Sequence, residues 1–390
     1  MSVSAAPNIL TEIPAKKFLK GDFTDPKACP DEALVYFLLN VGDGDTQLLL
    51  LPRRKNGGRR VVVVDIGSTG KLPVLLERLA THGILEPITG DPFLFPLVIA
   101  THPHNDHIAG MPEFLDRFHS HIRELWEPGY YHPTVAYIEM MRALEDADGA
   151  IQHTQPTSGA TRFIGRVRIQ VLAPSIGLRN RFDSYGININ NASIAIKVDF
   201  PASRVEWEGK KREYIRVRSR RRRLLLGADS QTLAWGHVLE DFPRLESTGF
   251  PAFKALRLAK GTDPLKSDIF KIPHHGSKHG VNLELVEEVD PSWSLISSVA
   301  GGGEYNFPHQ LAQEAVREAR QRTSSTGKTH DADWKLGIHY TSARDTEGEP
   351  LGSIAFVVPP TGTITMWRFG DVPRENVDLS RARRFDPKAR

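Results

Sequence analysis

Cysteine is nearly absent from this 390-residue chain: Cys29 is the only one. One thiol can form no internal disulfide and no cysteine metal cluster, so any metal must be held by imidazoles and carboxylates. Long apolar runs are missing as well. No segment reaches the roughly 18 to 20 uninterrupted apolar residues that a membrane helix requires, and residues 1–17 lack the charged-then-apolar order of a secretory signal. A cytoplasmic location without membrane association is the resulting expectation. The balance of 50 Lys and Arg against 47 Asp and Glu leaves a net charge of only +3, so global charge names no partner. Internal repeats and long low-complexity tracts are also lacking. What remains, at 40% hydrophobic and 25% charged residues, is enough to bury a large core in one compact unit with insertions.

Short apolar runs broken by glycines at residues 34–41, 47–51 and 60–65 read as an antiparallel meander. Apolar residues at helical spacing predict helices over 72–82, 111–117, 137–147, 233–239 and 310–319. Strands are predicted at 93–101, 161–172, 193–199, 214–217, 223–227, 269–272, 293–298, 352–358 and 363–368. Strands and helices thus alternate in both halves, which points to an α/β layered architecture with helices packed outside sheets. The reading divides the chain into an N-terminal extension (1–30), a main unit (31–370) and a polar C-terminal tail (371–390). Within the main unit, residues 201–223 read as an inserted hairpin with a dense basic cluster.

The chemistry concentrates at residues 102–107, where His102, His104, Asp106 and His107 follow an apolar run of strand length. Three imidazoles and a carboxylate in six residues are hard to satisfy as buried hydrogen-bonding groups without a common partner, and a divalent cation is such a partner. Other polar groups close apolar strands. Asp65 ends the run at 61–64, Asp229 follows Leu224, Leu225, Leu226, Gly227 and Ala228, and His274 and His275 follow the strand at 269–272. Each alone is more often a capped turn than a ligand.

Together these residues resemble the metallo-β-lactamase fold superfamily, whose His-x-His-x-Asp-His signature is matched at 102–107. Within it the chain is most similar to the hydrolase domain of the bacterial competence DNA-uptake protein ComEC. The segments 41–45, Asp65 in Asp-Ile-Gly, Asn191 to Ser193, 227–229, 273–277 and 306–309 follow that branch's motifs in order. The resemblance implies an αββα sandwich, two central mixed β-sheets flanked by helices, holding one or two divalent ions (Zn2+ or Mn2+) per chain. It assigns His102 and His104 to one metal, Asp106, His107 and His275 to the other, and Asp229 as the bridge. Asp65 and Ser193 would orient ligands, His274 would touch substrate, Asn306 and His309 would serve as oxyanion donors or proton donor, and Asp106 would also orient a metal-bridging hydroxide.

Many members supply a further imidazole between the signature and the bridging carboxylate, but residues 191–193 offer none. The imidazoles in that interval, His119, His121, His132 and His153, lie past a helix or in polar stretches and end no predicted strand. The favoured function is hydrolysis of a nucleic acid or nucleotide phosphodiester. Its rivals are a small-molecule ester, lactone or lactam hydrolase and a binding module with a vestigial site. Arg216, Arg218, Arg220 and Arg222 would share one strand face and track phosphates, or else form a solvated edge that blocks sheet pairing.

Overall fold

A computed structural model of the chain describes residues 12–55, 57–179, 189–202, 204–208, 211–215, 221–242, 263–299, 305–323 and 332–389. Two mixed sheets dominate it. The larger runs, edge to edge, through Phe18–Lys20, Arg383–Phe385, Thr365–Arg368, Ile354–Val358, Leu34–Leu38, Thr46–Leu50, Val61–Ile66, Leu97–Ile99, Glu124–Trp126 and Gln152–Thr154. The smaller runs through Ile338–Tyr340, Trp293–Ile296, Ile269–Lys271, Arg222–Leu226, Ala195–Phe200, Val167–Ala173 and Thr161–Ile164.

Side chains alternate across a strand, and both faces of the larger sheet are buried. Leu34, Tyr36 and Leu38 face one core with Val62, Val64 and Ile99, which they share with Ile196, Val198, Leu224 and Ile269 of the smaller sheet. Val35, Phe37 and Leu39 face a second core with Val61, Val63 and Val98, closed by Leu72 and Leu76 of the helix Lys71–Thr81 and by Phe114 and Leu115 of Met111–Phe118. On the smaller sheet, Trp235 and Val238 of Thr232–Asp241, Val286 of Leu283–Val289 and Val316 of Gln310–Thr323 add the outer layer. The layers are therefore helix, sheet, sheet, helix, as expected.

Strand direction positions the site. In the larger sheet Val61–Ile66, Leu97–Ile99, Glu124–Trp126 and Gln152–Thr154 are parallel. In the smaller one Arg222–Leu226, Ile269–Lys271, Trp293–Ile296 and Ile338–Tyr340 are parallel too. Ligands bind beyond the carboxyl ends of such strands, where loops converge.

Several elements differ from the sequence reading. The run at 161–172 is a hairpin, Thr161–Ile164 paired with Val167–Ala173, because Gly165 at φ 59 turns the chain. The run at 93–101 keeps ladder pairing only at Leu97–Ile99. Both chain ends join the larger sheet: Phe18–Lys20 pairs with Arg383–Phe385, which pairs with Thr365–Arg368. Three-residue strands are too short to show a period of two. The predicted strand at 214–217 corresponds to Lys211–Ile215, paired with Arg204–Glu208 as a separate two-stranded ribbon.

Candidate metal centre

Residues 102–107 sit where the strand Leu97–Ile99 ends, with the short helix Asn105–Ile108 inside the signature. Two groups of ligand atoms face one another there, each group within 4.8 Å: His102, His104 and Asp229 form one, and Asp106, His107, Asp229 and His275 the other. Asp229 belongs to both. Its neighbours explain the convergence, since Asp229 follows the strand Arg222–Leu226 and His275 follows the adjacent parallel strand Ile269–Lys271.

Left-handed backbone is concentrated here. Asp65 (φ 59), Ala228 (φ 45), His274 (φ 50), His275 (φ 51) and Asn306 (φ 53) account for five of the seven non-glycine residues with positive φ among those described. Such conformations cost energy and persist where the surroundings impose them. Glycine serves at two close approaches. A Cβ on Gly67 would collide with the Asp106 carbonyl oxygen, and one on Gly276 (φ +81) would meet Pro308 at 2.7 Å.

The donor set fits a cation on geometric grounds. His107 Nε2 and His275 Nε2 face each other at 3.3 Å, and His102 Nε2 faces His104 Nδ1 at 3.1 Å. Two nitrogens each bound at about 2.0–2.1 Å to one tetrahedral ion stand about 3.3 Å apart. Asp229 Oδ1 is buried without a well-formed hydrogen bond although His107 Nε2 is 3.1 Å away, as befits atoms aimed at a common third point. In three of these imidazoles the other ring nitrogen is held from behind. His107 Nδ1 meets Asp65 Oδ2 at 2.8 Å, His275 Nδ1 meets the Ser297 carbonyl at 3.1 Å, and His102 Nδ1 lies 3.2 Å from Thr101 Oγ1. Asp65 is fixed in turn by the Thr101 N–H and hydroxyl, both at 2.7 Å.

Electrostatics divides the imidazoles. Burial would lower His107, but Asp229, Asp65 and Asp106 together hold it well above the usual histidine range. His275 is raised in the same way, against burial, by Asp229 and Asp106. Burial pushes His102 well below, with His107 repelling its charge, and burial also lowers His104 and His274. Asp229 stays well below the carboxylate range because His107, His274 and His275 overcome its burial, and Asp106 is lowered chiefly by His107 and His275.

The other anticipated residues are placed as follows. His274 Nε2 is 3.5 Å from Asp229 Oδ2 at the half-open rim, with Gln231 Nε2 at 3.3 Å from its Nδ1. Asn306 and His309 lie on the loop packed against the His274–His275 turn, where the His309 N–H donates to the Gly276 carbonyl. Neither side chain hydrogen-bonds to the clustered ligands among the described residues. Ser193 is fully buried beside the signature, where the next residue's N–H bonds to the Thr101 carbonyl, but its hydroxyl has no partner among the described residues. Arg222 starts the strand that ends near Asp229, so it stands at the far edge, donating to the Gly362 carbonyl. Arg216, Arg218 and Arg220 lie outside the described residues.

Four contributors escaped the sequence reading. Asp45, read only as part of a turn motif, is buried against Lys271, with its Oδ1 3.7 Å from His275 Nδ1 and its N–H on the Asp106 carbonyl. Thr101 holds Asp65. The Phe307 ring meets both His274 (5.3 Å) and His275 (5.8 Å). Lys271 alternates with apolar neighbours in a buried strand, a polar interruption that is visible in sequence but silent about its partner.

Residues 54–166 match the family model described as "Metallo-beta-lactamase superfamily". No curated protein matches the chain. Among solved structures it is similar to CmlA, a diiron beta-hydroxylase from Streptomyces venezuelae, at 13% identity and TM-score 0.39, covering 76% of this chain and 52% of CmlA. The chain thus spans about half the length of that protein. It is also similar to the metallo-beta-lactamase fold protein YhfI from Bacillus subtilis (13%, TM-score 0.34, 68% of this chain and 86% of YhfI). A third is a long form RNase Z from yeast (11%, TM-score 0.34, 69% of this chain and 38% of the RNase). The family match over 54–166 spans the His102–His107 signature and covers less than a third of the chain.

Proposed function

We propose that this chain is a metal-dependent hydrolase of phosphodiesters, acting on a nucleic acid or nucleotide. The observation that carries this reading is Asp229 shared between two facing ligand groups at the carboxyl ends of both sheets. That arrangement suits a pair of divalent cations (Zn2+ or Mn2+), held by His102, His104 and Asp229 on one side and by Asp106, His107, His275 and Asp229 on the other. Ions bound there would supply Lewis acidity and an activated water, so no protein nucleophile is required. Asp65 fixes the His107 tautomer, and Asp45 with Lys271 braces the turn beneath Asp106 and His275. His274, on the exposed side of Asp229, is placed to meet a phosphoryl oxygen, with Asn306 and His309 on the neighbouring loop as donors to substrate.

The phosphodiester preference rests on the resemblance to the ComEC-type hydrolase domain and on the basic segment 210–223, in which Arg216, Arg218 and Arg220 would track phosphates. Among the described residues no helix is long and apolar enough to cross a membrane. The test is incubation of the purified chain with labelled single- and double-stranded DNA, RNA, a chromogenic phosphodiester, a lactone and a lactam, with and without Zn2+ or Mn2+. Cleavage of phosphodiesters that requires metal, and that for nucleic acid falls steeply with salt, is expected. Turnover confined to the lactone or lactam would overturn the substrate class, and no turnover with metal bound would overturn the enzyme reading.

A further inference from the structure

The two ligand groups are unequal. One holds two imidazoles and two carboxylates, whereas the other holds only His102, His104 and the shared Asp229. The position where a strand start could supply a third imidazole carries Asn191, and its side chain is committed elsewhere: Asn191 Oδ1 accepts the Ala234 N–H at 3.2 Å inside the helix Thr232–Asp241.

The four histidines between the signature and Asp229 are separated by their surroundings. His119 Nδ1 meets the Asp116 carbonyl, His121 Nδ1 the Asp91 carbonyl and His153 Nε2 the Glu127 carboxylate, so each has a local partner. The His132 ring makes no hydrogen bond among the described residues. It packs instead on His104, with ring centroids 5.3 Å apart and planes at 59°. His107 and His275, which share the other ligand group, are also 5.3 Å apart, at 49°. Two imidazoles on one tetrahedral ion with bonds of about 2.0–2.1 Å place their centroids about 5 Å apart.

Topology explains how His132 arrives there. Glu124–Trp126 is a buried strand parallel to Leu97–Ile99, so the chain leaving it emerges at the same edge as His102. That loop is pinned. Glu127 accepts the Gly129 N–H at 2.7 Å, and the Tyr130 hydroxyl donates to the Ile189 carbonyl at 3.0 Å, just ahead of Asn191. His132 then hangs half-exposed over His104. Its nitrogens stand outside the His102–His104–Asp229 group, so binding needs the side chain to turn, which nothing hydrogen-bonded opposes.

We infer that His132 is the third imidazole of the cation position formed by His102, His104 and Asp229, supplied by the loop after Glu124–Trp126. The inference rests on the two-cation reading above. Three neutral imidazoles with one shared carboxylate suit Zn2+ or Mn2+, and water would join as a fifth ligand.

The experiment measures Zn2+ and Co2+ stoichiometry and affinity by chelator competition for the full chain, His132→Ala, His104→Ala and Tyr131→Ala, with the absorption spectrum of each Co2+ form. Thermal unfolding in chelator checks that each variant folds. Wild type should bind two ions, and His132→Ala should bind one of them 10-fold or more weakly, with altered Co2+ absorption, as His104→Ala does. Tyr131→Ala should match wild type. Unchanged affinity and spectrum in His132→Ala, while His104→Ala loses an ion, would overturn the inference alone. Absence of metal from wild type would overturn the two-cation reading and this inference with it. If His132→Ala proves unfolded, His132→Gln replaces it, and wild-type-like binding by that variant counts against the ligand.

Discussion

Asp65 Oδ2 lies 2.8 Å from His107 Nδ1, and this one contact decides which nitrogen of His107 faces Asp229. With Nδ1 donating its proton to a fully buried carboxylate, Nε2 is the nitrogen left to face a cation at the centre of the site, which would take the place of the proton there. Asp65→Asn keeps the shape but removes the charge and the certainty of that tautomer. Metal affinity should fall roughly 10- to 100-fold, as it does when an outer partner of a ligating histidine is lost. Competition with a coloured chelator measures it, and affinity equal to wild type would show that Asp65 serves the fold only.

Turnover should depend on the cluster and not on the thiol. Asp229→Ala and His104→Ala should each lower hydrolysis of a chromogenic phosphodiester by roughly three orders of magnitude or more, because several kcal/mol of transition-state stabilisation go with the metal-activated nucleophile. Cys29 is buried in the helix-side core, in one cluster with Phe23 and Ala33 and apart from the ligand groups, so Cys29→Ala should leave the rate constant unchanged. Steady-state kinetics on the three variants decides, and a fully active Asp229→Ala would refute the mechanism.

Salt dependence reads the basic segment. If Arg216, Arg218 and Arg220 contact phosphates, replacing all three by Ala should flatten the slope of log affinity against log salt by close to one unit per lost contact, equally for all sequences. Cleavage of a small phosphodiester should survive. Equal slopes for wild type and triple variant, with more aggregation in the variant, would assign the arginines to protecting a sheet edge instead.

Acid stability should respond to a residue outside the ligand groups. His339 is fully buried between Trp293 (5.5 Å) and Phe385 (5.3 Å), with neither ring nitrogen hydrogen-bonded among the described residues. Burial pushes its pKa down to about 3. The unfolded chain binds a proton below about 6.5 while the folded chain refuses it until about 3, so stability falls as pH drops through that window. At pH 5 the loss is on the order of 2 kcal/mol. His339→Phe should remove that part of the pH dependence and raise the unfolding midpoint at pH 5 more than at pH 8. Parallel shifts at both pH values would show that the gain is packing alone.

The sequence by itself determined what is local. Six residues carry four ligand-type side chains, apolar runs of two periods mark most strands and helices, and a single cysteine restricts any metal cluster to imidazoles and carboxylates. Even the strand-end positions of Asp65, Asp229 and His275 were legible, because each closes an apolar run. Tertiary structure alone decided which of these meet. Asp229 and His275 reach His107 because parallel strands of both sheets end at one edge, and that order depends on contacts between residues far apart in the chain. Phe18–Lys20 and Arg383–Phe385 become strands only by pairing, the first with the second and the second also with Thr365–Arg368, being too short to declare a period. His132 was passed over for the same reason. Glu124–Trp126 is a three-residue strand that begins with a charge, so nothing local shows that the loop after it emerges beside His104; only the parallel pairing with Leu97–Ile99 puts it there.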